Sequence, residues 1–169
     1  TDVKGNIVGF GGRVLDNSNP KYINSPESSF FHKRNLLYNL SEAKNVARRK
    51  NNLLICEGYM DVISLYQVGI HSVVAPLGTA LTEDQLNIAW KYSTKPTIMF
   101  DGDKAGLRAS FRLALMSLSL ISSKKFLKFI TLKDGYDPDS FINTFSFYRF
   151  LDKIKNPQPL VNFIFNESS

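Results

Sequence analysis

From residue 52 onward the chain alternates short apolar runs with longer amphipathic stretches, and this alternation narrows the possible folds more than any other feature. The runs are LLIC (53–56), HSVVAPL (71–77), PTIMF (96–100) and KFLKFITL (125–132). Between them lie YMDVISLYQ, a segment opened by TEDQ (82–85), and a segment from about 104 to 121. Strand candidates that read as nearly continuous apolar runs, separated by helix candidates, predict an α/β fold whose parallel sheet is covered on both faces. Thr82 and Gln85 stand three apart, the spacing of a capping box, which starts a helix there. The tail, 139–166, reads as helical and is broken by NPQP at 156–159.

Ahead of this unit, 6–15 and 19–26 read as two short strands of a hairpin, and 34–50 as a helix ending in Arg48, Arg49 and Lys50, where the helix dipole favours cations. The sequence therefore divides into a basic N-terminal part (1–50), an α/β unit (51–140) and a C-terminal helical segment (141–169). With 43% hydrophobic and 12% aromatic residues in 169, a packed core needs no staple, and general disorder is excluded. The net charge of +6 is concentrated at the front: residues 1–50 carry nine basic and four acidic side chains, the rest twelve and eleven. The single cysteine, Cys56, lies in an apolar run and points to a reducing, cytoplasmic compartment. No apolar run reaches the roughly 18 residues a membrane span requires. Beginning at Thr1, the chain is expected to be a piece of a longer one.

Ligands of open parallel sheets gather beyond the carboxyl ends of the strands. Six acids fall on such loops: Glu57 and Asp61 after LLIC, Asp101 and Asp103 after PTIMF, and Asp137 and Asp139 after KFLKFITL. Each alone could be a turn or cap residue, and Asp103 could cap the helix at 104. Together they would repel one another, and a divalent cation relieves that repulsion. Oxygen donors without neighbouring His or Cys suit Mg²⁺ or Mn²⁺ rather than zinc. DGDKAG (101–106) is not an EF-hand, since Ala105 and Arg112 stand where its later ligands belong, and GFGGR lacks the ending of a phosphate-binding P-loop.

Lys104, Arg108 and Arg112 recur at intervals of four, along a helix face expected to lie opposite Leu107, Phe111, Ala114 and Leu118. Arg13, Lys21, Lys33 and Arg34 add positive charge interleaved with aromatic residues. Basic surface beside an acidic, metal-ready pocket suggests a polyphosphate or nucleic-acid substrate. His32 and His71 have no zinc-like spacing, a Cys56 nucleophile has no support, and Trp90 reads as core.

EGYMD (57–61), LGTALTEDQ (77–85), DGDKAG (101–106) and GYDPD (135–139) resemble the Toprim domain of bacterial-type DNA primases, and IVGFGGRVL with PKYINSPES resembles the basic segment preceding it in the RNA-polymerase core of that family. The Glu and the DxD pair alone mark only the broad Toprim class; the longer words are more specific. The resemblance implies RNA-primer synthesis on single-stranded DNA from NTPs, with Glu57, Asp101 and Asp103 as central acids and Asp61, Asp137 and Asp139 as secondary ones. It implies phosphate contacts for Arg13, Lys21 and Lys33, to which the spacing adds Lys104 and Arg108. It also implies partners reached through other domains, a replicative helicase and single-stranded-DNA-binding protein, and a zinc site only in a domain this chain does not carry. A monomer is the default expectation. Glu57 is open between metal ligand and general base. The alternatives are a Toprim nuclease or topoisomerase-like enzyme, and a non-catalytic metal- and nucleic-acid-binding module.

Overall fold

The computed structural model describes residues 1–14, 22–78, 80–132 and 134–167. A small antiparallel hairpin, β1 (Gly11–Arg13) and β2 (Tyr22–Asn24), opens the chain. A 3-10 turn (Lys33–Asn35) and helix α1 (Leu40–Lys50) follow. The helix begins later than its apolar pattern suggested, because Tyr38 forms a β-bridge with Ala75, and Asn39, at φ 67°, donates its side-chain amide to the Val73 carbonyl.

The α/β unit runs β3 (Leu54–Ile55), α2 (Tyr59–Gln67), β4 (Val73–Val74), α3 (Glu83–Trp90), β5 (Thr97–Ile98), α4 (Lys104–Ser117) and β6 (Lys128–Phe129). The strands pair in the order β4-β3-β5-β6, all parallel, as the apolar runs predict. The tail departs from expectation. After α5 (Pro138–Phe145) and α6 (Phe147–Lys155), the NPQP segment supplies β7 (Gln158–Pro159), antiparallel to β6, before α7 (Leu160–Glu167). The sheet is thus mixed, and proline is tolerated because β7 is an edge strand.

Strand alternation separates two cores. Leu53, Ile55, Ile98, Phe100, Leu127 and Phe129 face one way, against α1, α3, α4 and α7. Leu54, Cys56, Met99, Ile130 and Leu132 face the other, against α2, α5 and α6. Cys56 and Trp90 are buried as expected, and the Trp90 indole N–H donates to the Phe126 carbonyl. The ridge that α4 buries is Gly106, Ser110, Leu113, Ala114 and Ser117; Leu107 and Phe111 are only partly covered and Leu118 is exposed, which corrects the expected stripe. Four of these five residues are small, and at Gly106 the helix lies directly against the Asp101 backbone. Among the described residues no helix is long and apolar enough to cross a membrane.

Candidate active site

From β3 the chain crosses through α2 to β4 on one side, and from β5 through α4 to β6 on the other, so the two central neighbours diverge at their carboxyl ends. A parallel sheet opens a ligand crevice at such a switch point. Glu57 follows β3 and Asp101 to Asp103 follow β5, placing both loops at the crevice. The Asp101 N–H points to Glu57 Oε2 at 3.4 Å. The third acidic loop is tied in through backbone: Gly102 N–H donates to the Tyr136 carbonyl at 2.8 Å, and Gly135 N–H to the Gly102 carbonyl at 3.3 Å.

The loop after β5 is also held tightly from below. A Cβ on Gly106 would lie 2.2 Å from the Asp101 carbonyl oxygen, so the first turn of α4 can support this loop only with glycine there.

Three of the acids cap helices, and each does so with one oxygen. Asp103 Oδ1 accepts from Ala105 and Gly106 N–H, Asp137 Oδ1 from Ser140 N–H, and Asp61 Oδ2 from Gly58 N–H. The second oxygen of each carboxylate has no hydrogen bond among the described residues. Capping and ligand binding are therefore compatible roles. Asp139, in the first turn of α5, is exposed and accepts from the Asn143 side chain at 3.3 Å.

The electrostatics converge on Asp101. Burial first, then the charges of Asp61, Glu57, Asp137 and Asp103, push its carboxyl up to about 7. Burial likewise raises Asp61 to about 6, against the lowering effect of the Gly58 N–H, with Asp137, Glu57 and Asp139 adding to the rise. Asp101 Oδ1 is buried with no hydrogen-bond partner. An orphaned carboxylate oxygen amid like charges, with all-oxygen donors around it, fits a hard divalent cation. As placed, no three acidic, thiol or imidazole groups among the described residues form a ready-made coordination set.

The basic residues are less unified. Lys104 opens α4 beside Asp103 and Arg108 follows one turn later, both exposed. Arg112 shares with Glu57 a cavity of about 350 Å³, whose walls include Pro76, Phe100 and Ala109. Arg13 is stacked 5.6 Å over the Tyr22 ring, Lys33 sits in the 3-10 turn, and Arg34 beside it is exposed. Lys21 lies outside the described residues.

Tyr59 and Gln85 hold the site together through long-range contacts. The Tyr59 hydroxyl donates to the Gly12 carbonyl at 2.9 Å and its ring meets Tyr22 and Tyr38, pinning the basic hairpin beside the loop that carries Glu57. Buried Gln85 completes the expected capping box with Thr82, and its amide also donates to the carbonyls of Lys33 and Leu36 at 2.9 and 2.8 Å. Thr82 adds a bond from its hydroxyl to the Arg34 carbonyl. The start of α3 thus clamps the turn that carries Lys33. Tyr59 stood inside the EGYMD word, but the long-range partners of Gln85 left no local sign.

The fold is a three-layered α/β unit with acids gathered at its switch point, and residues 54–142 match the Toprim-like family model. The chain belongs to the Toprim-like family. Residues 1–44 match the model of the DNA primase catalytic core, N-terminal domain. The chain is 41% identical over 165 residues to the DNA primase of Escherichia coli K12, which covers 98% of this chain and 28% of that protein. It superposes on a DNA primase domain from Pseudomonas aeruginosa with a TM-score of 0.91 at 40% identity, covering 98% of this chain and 52% of that one. A DnaG primase catalytic domain bound to single-stranded DNA gives a TM-score of 0.90 at 40% identity, with coverage of 98% and 52%. The chain thus spans little more than a quarter of the curated relative and about half of the solved domains.

Proposed function

We propose that the chain carries the catalytic centre for DNA-directed RNA-primer synthesis during replication, by nucleotidyl transfer from NTPs on a single-stranded DNA template. The observation that carries this reading is the buried, unpartnered Asp101 Oδ1 at the β3/β5 switch point, ringed by four further carboxylates. A primer hydroxyl attacks the α-phosphate of the incoming nucleotide and pyrophosphate departs. Asp101 and Asp103 are the principal metal ligands, with Asp61, Asp137 and Asp139 around them. Glu57 either completes the ligand set or receives the proton of the attacking hydroxyl. A bound Mg²⁺ or Mn²⁺ supplies charge neutralisation for the phosphates and acidifies the attacking oxygen.

Arg13, Lys21 and Lys33 on the N-terminal side, with Lys104 and Arg108 on α4, engage triphosphate and template backbone, giving salt-sensitive binding. The cavity shared by Glu57 and Arg112 is large enough for the base of a nucleotide. In this reading residues 1–50 are the basic part of a polymerase core, 51–140 the Toprim unit and 141–169 a C-terminal segment. The protein acts as a monomer in a bacterial cytoplasm, alongside a replicative helicase and single-stranded-DNA-binding protein.

Incubation with single-stranded DNA, labelled ribonucleotides and Mg²⁺ or Mn²⁺ tests the reading, using the chain together with the remainder of its protein. Oligoribonucleotides that disappear in Asp101→Asn support it. Nicked DNA without oligoribonucleotides assigns a nuclease, and binding without either product assigns a non-catalytic module.

A further inference from the structure

The side of the sheet where β3, β5 and β6 begin, opposite the acidic loops, carries its own constellation. Lys50 ends α1, Lys95 precedes β5, Lys128 lies in β6 and Lys155 ends α6; all four line one cavity of about 210 Å³ together with Asn52 and Thr97. No acidic side chain lines this cavity. The contact between His32 Nδ1 and Glu27 at 3.5 Å is elsewhere, and none of the four lysine side chains has a hydrogen bond or ion pair among the described residues.

Lys50 and Lys155 have an ordinary explanation, since cations at helix C-termini complement the dipole. Lys95 and Lys128 do not, because they stand at strand entries. Their backbone is firmly placed. The Asn51 side chain accepts from Thr94 N–H at 2.8 Å and donates to the Thr94 hydroxyl at 2.9 Å, tying the end of α1 to the approach to β5. Lys128 N–H donates to the Pro96 carbonyl at 3.1 Å. Adjacent strands lie about 4.8 Å apart, so ammonium groups from the entries of β3, β5 and β6 can converge on one small anion.

We propose that this pocket is a second phosphate site, distinct from the acidic centre, for a ligand with at least two linked phosphates. Four unneutralised cations around a concave polar surface suit the density of charge on a di- or triphosphate group, whether it is free or part of a nucleic-acid backbone.

The test is titration of the 169-residue chain with inorganic triphosphate in EDTA, which silences metal-dependent binding at the other edge, followed by backbone amide resonances and calorimetry. The expected result is saturable binding at one site with shifts at Asn51, Asn52, Thr97 and Lys128. Lys95→Gln with Lys128→Gln is expected to weaken it at least tenfold. Lys4→Gln with Lys44→Gln, which removes equal charge from another face, is expected to change it less than twofold. If the first pair disturbs folding by circular dichroism, the exposed pair Lys50→Gln with Lys155→Gln serves in its place. A second arm uses an oligodeoxythymidine: shifts of the same amides, competed by triphosphate, identify a strand backbone as the source, whereas shifts with triphosphate alone identify a free polyphosphate. Shifts confined to the Asp101 edge, unsaturable binding, equal losses in both pairs, or no binding by either ligand overturn the proposal.

Discussion

At the residue scale, Asp101 pays in stability for its chemistry. Its carboxyl and that of Asp61 are raised to about 7 and about 6 in the fold, from near 3.9 when unfolded. Both groups bind protons more readily folded, so their contribution is full below about pH 4 and is lost as pH rises through about 6 and then about 7. Urea melts of the metal-free chain should therefore show that stability declines across this window, and that Asp101→Asn flattens the decline. The three-unit shift is worth at most about 4 kcal/mol; discounted for a group only half-buried, the variant should gain about 1–2 kcal/mol at pH 8. Gly106 carries the opposite constraint. With a Cβ only 2.2 Å from the Asp101 carbonyl oxygen, Gly106→Ala should cost about 1–3 kcal/mol in the same melts and displace the metal-site loop. The acids were legible in the sequence because each follows an apolar run directly. What the sequence withheld was the division of labour within a carboxylate, one oxygen capping a helix and the other left for a ligand.

At the scale of elements, the α3 N-terminus is the clamp between the basic turn and the Toprim unit. Gln85→Ala would leave the Thr82 N–H and the carbonyls of Lys33 and Leu36 without their partner in a buried setting. A loss of about 2–3 kcal/mol is expected in denaturant melts, more than a helix cap alone is worth. Restoration of wild-type stability by Gln85→Ala together with an exposed α3 propensity gain would show that only helix formation was at stake. The alternation of apolar runs revealed β3 to β6 and their helices because each run is short, apolar and followed by a helical period. β7 stayed hidden because Asn156, Pro157 and Pro159 read locally as chain breakers, and only the partner strand β6 makes an edge strand of them. The buried ridge of α4 departs from the hydrophobicity pattern for a related reason: Leu107 and Phe111 dominate that pattern, whereas the face turned to the core is lined by Gly106, Ser110 and Ala114 together with Leu113.

At the scale of the whole molecule, the modest +6 conceals a polar arrangement of charge. The carboxyl edge of the sheet gathers acids whose mutual repulsion asks for a cation, while the opposite edge holds lysines without counter-charges. The parallel run of β3, β5 and β6 accounts for both, since their acidic loops leave at one edge while Lys95 and Lys128 stand at the strand entries on the other. The placement of a divalent cation at the β3/β5 switch point is tested most directly by calorimetric titration of Mn²⁺ into the metal-free chain at pH 8, where Asp101 is ionised. Saturable binding that weakens at least tenfold in Asp101→Asn with Asp103→Asn, while both proteins remain folded, is the expected result. Equal Mn²⁺ affinity in the two proteins would contradict it.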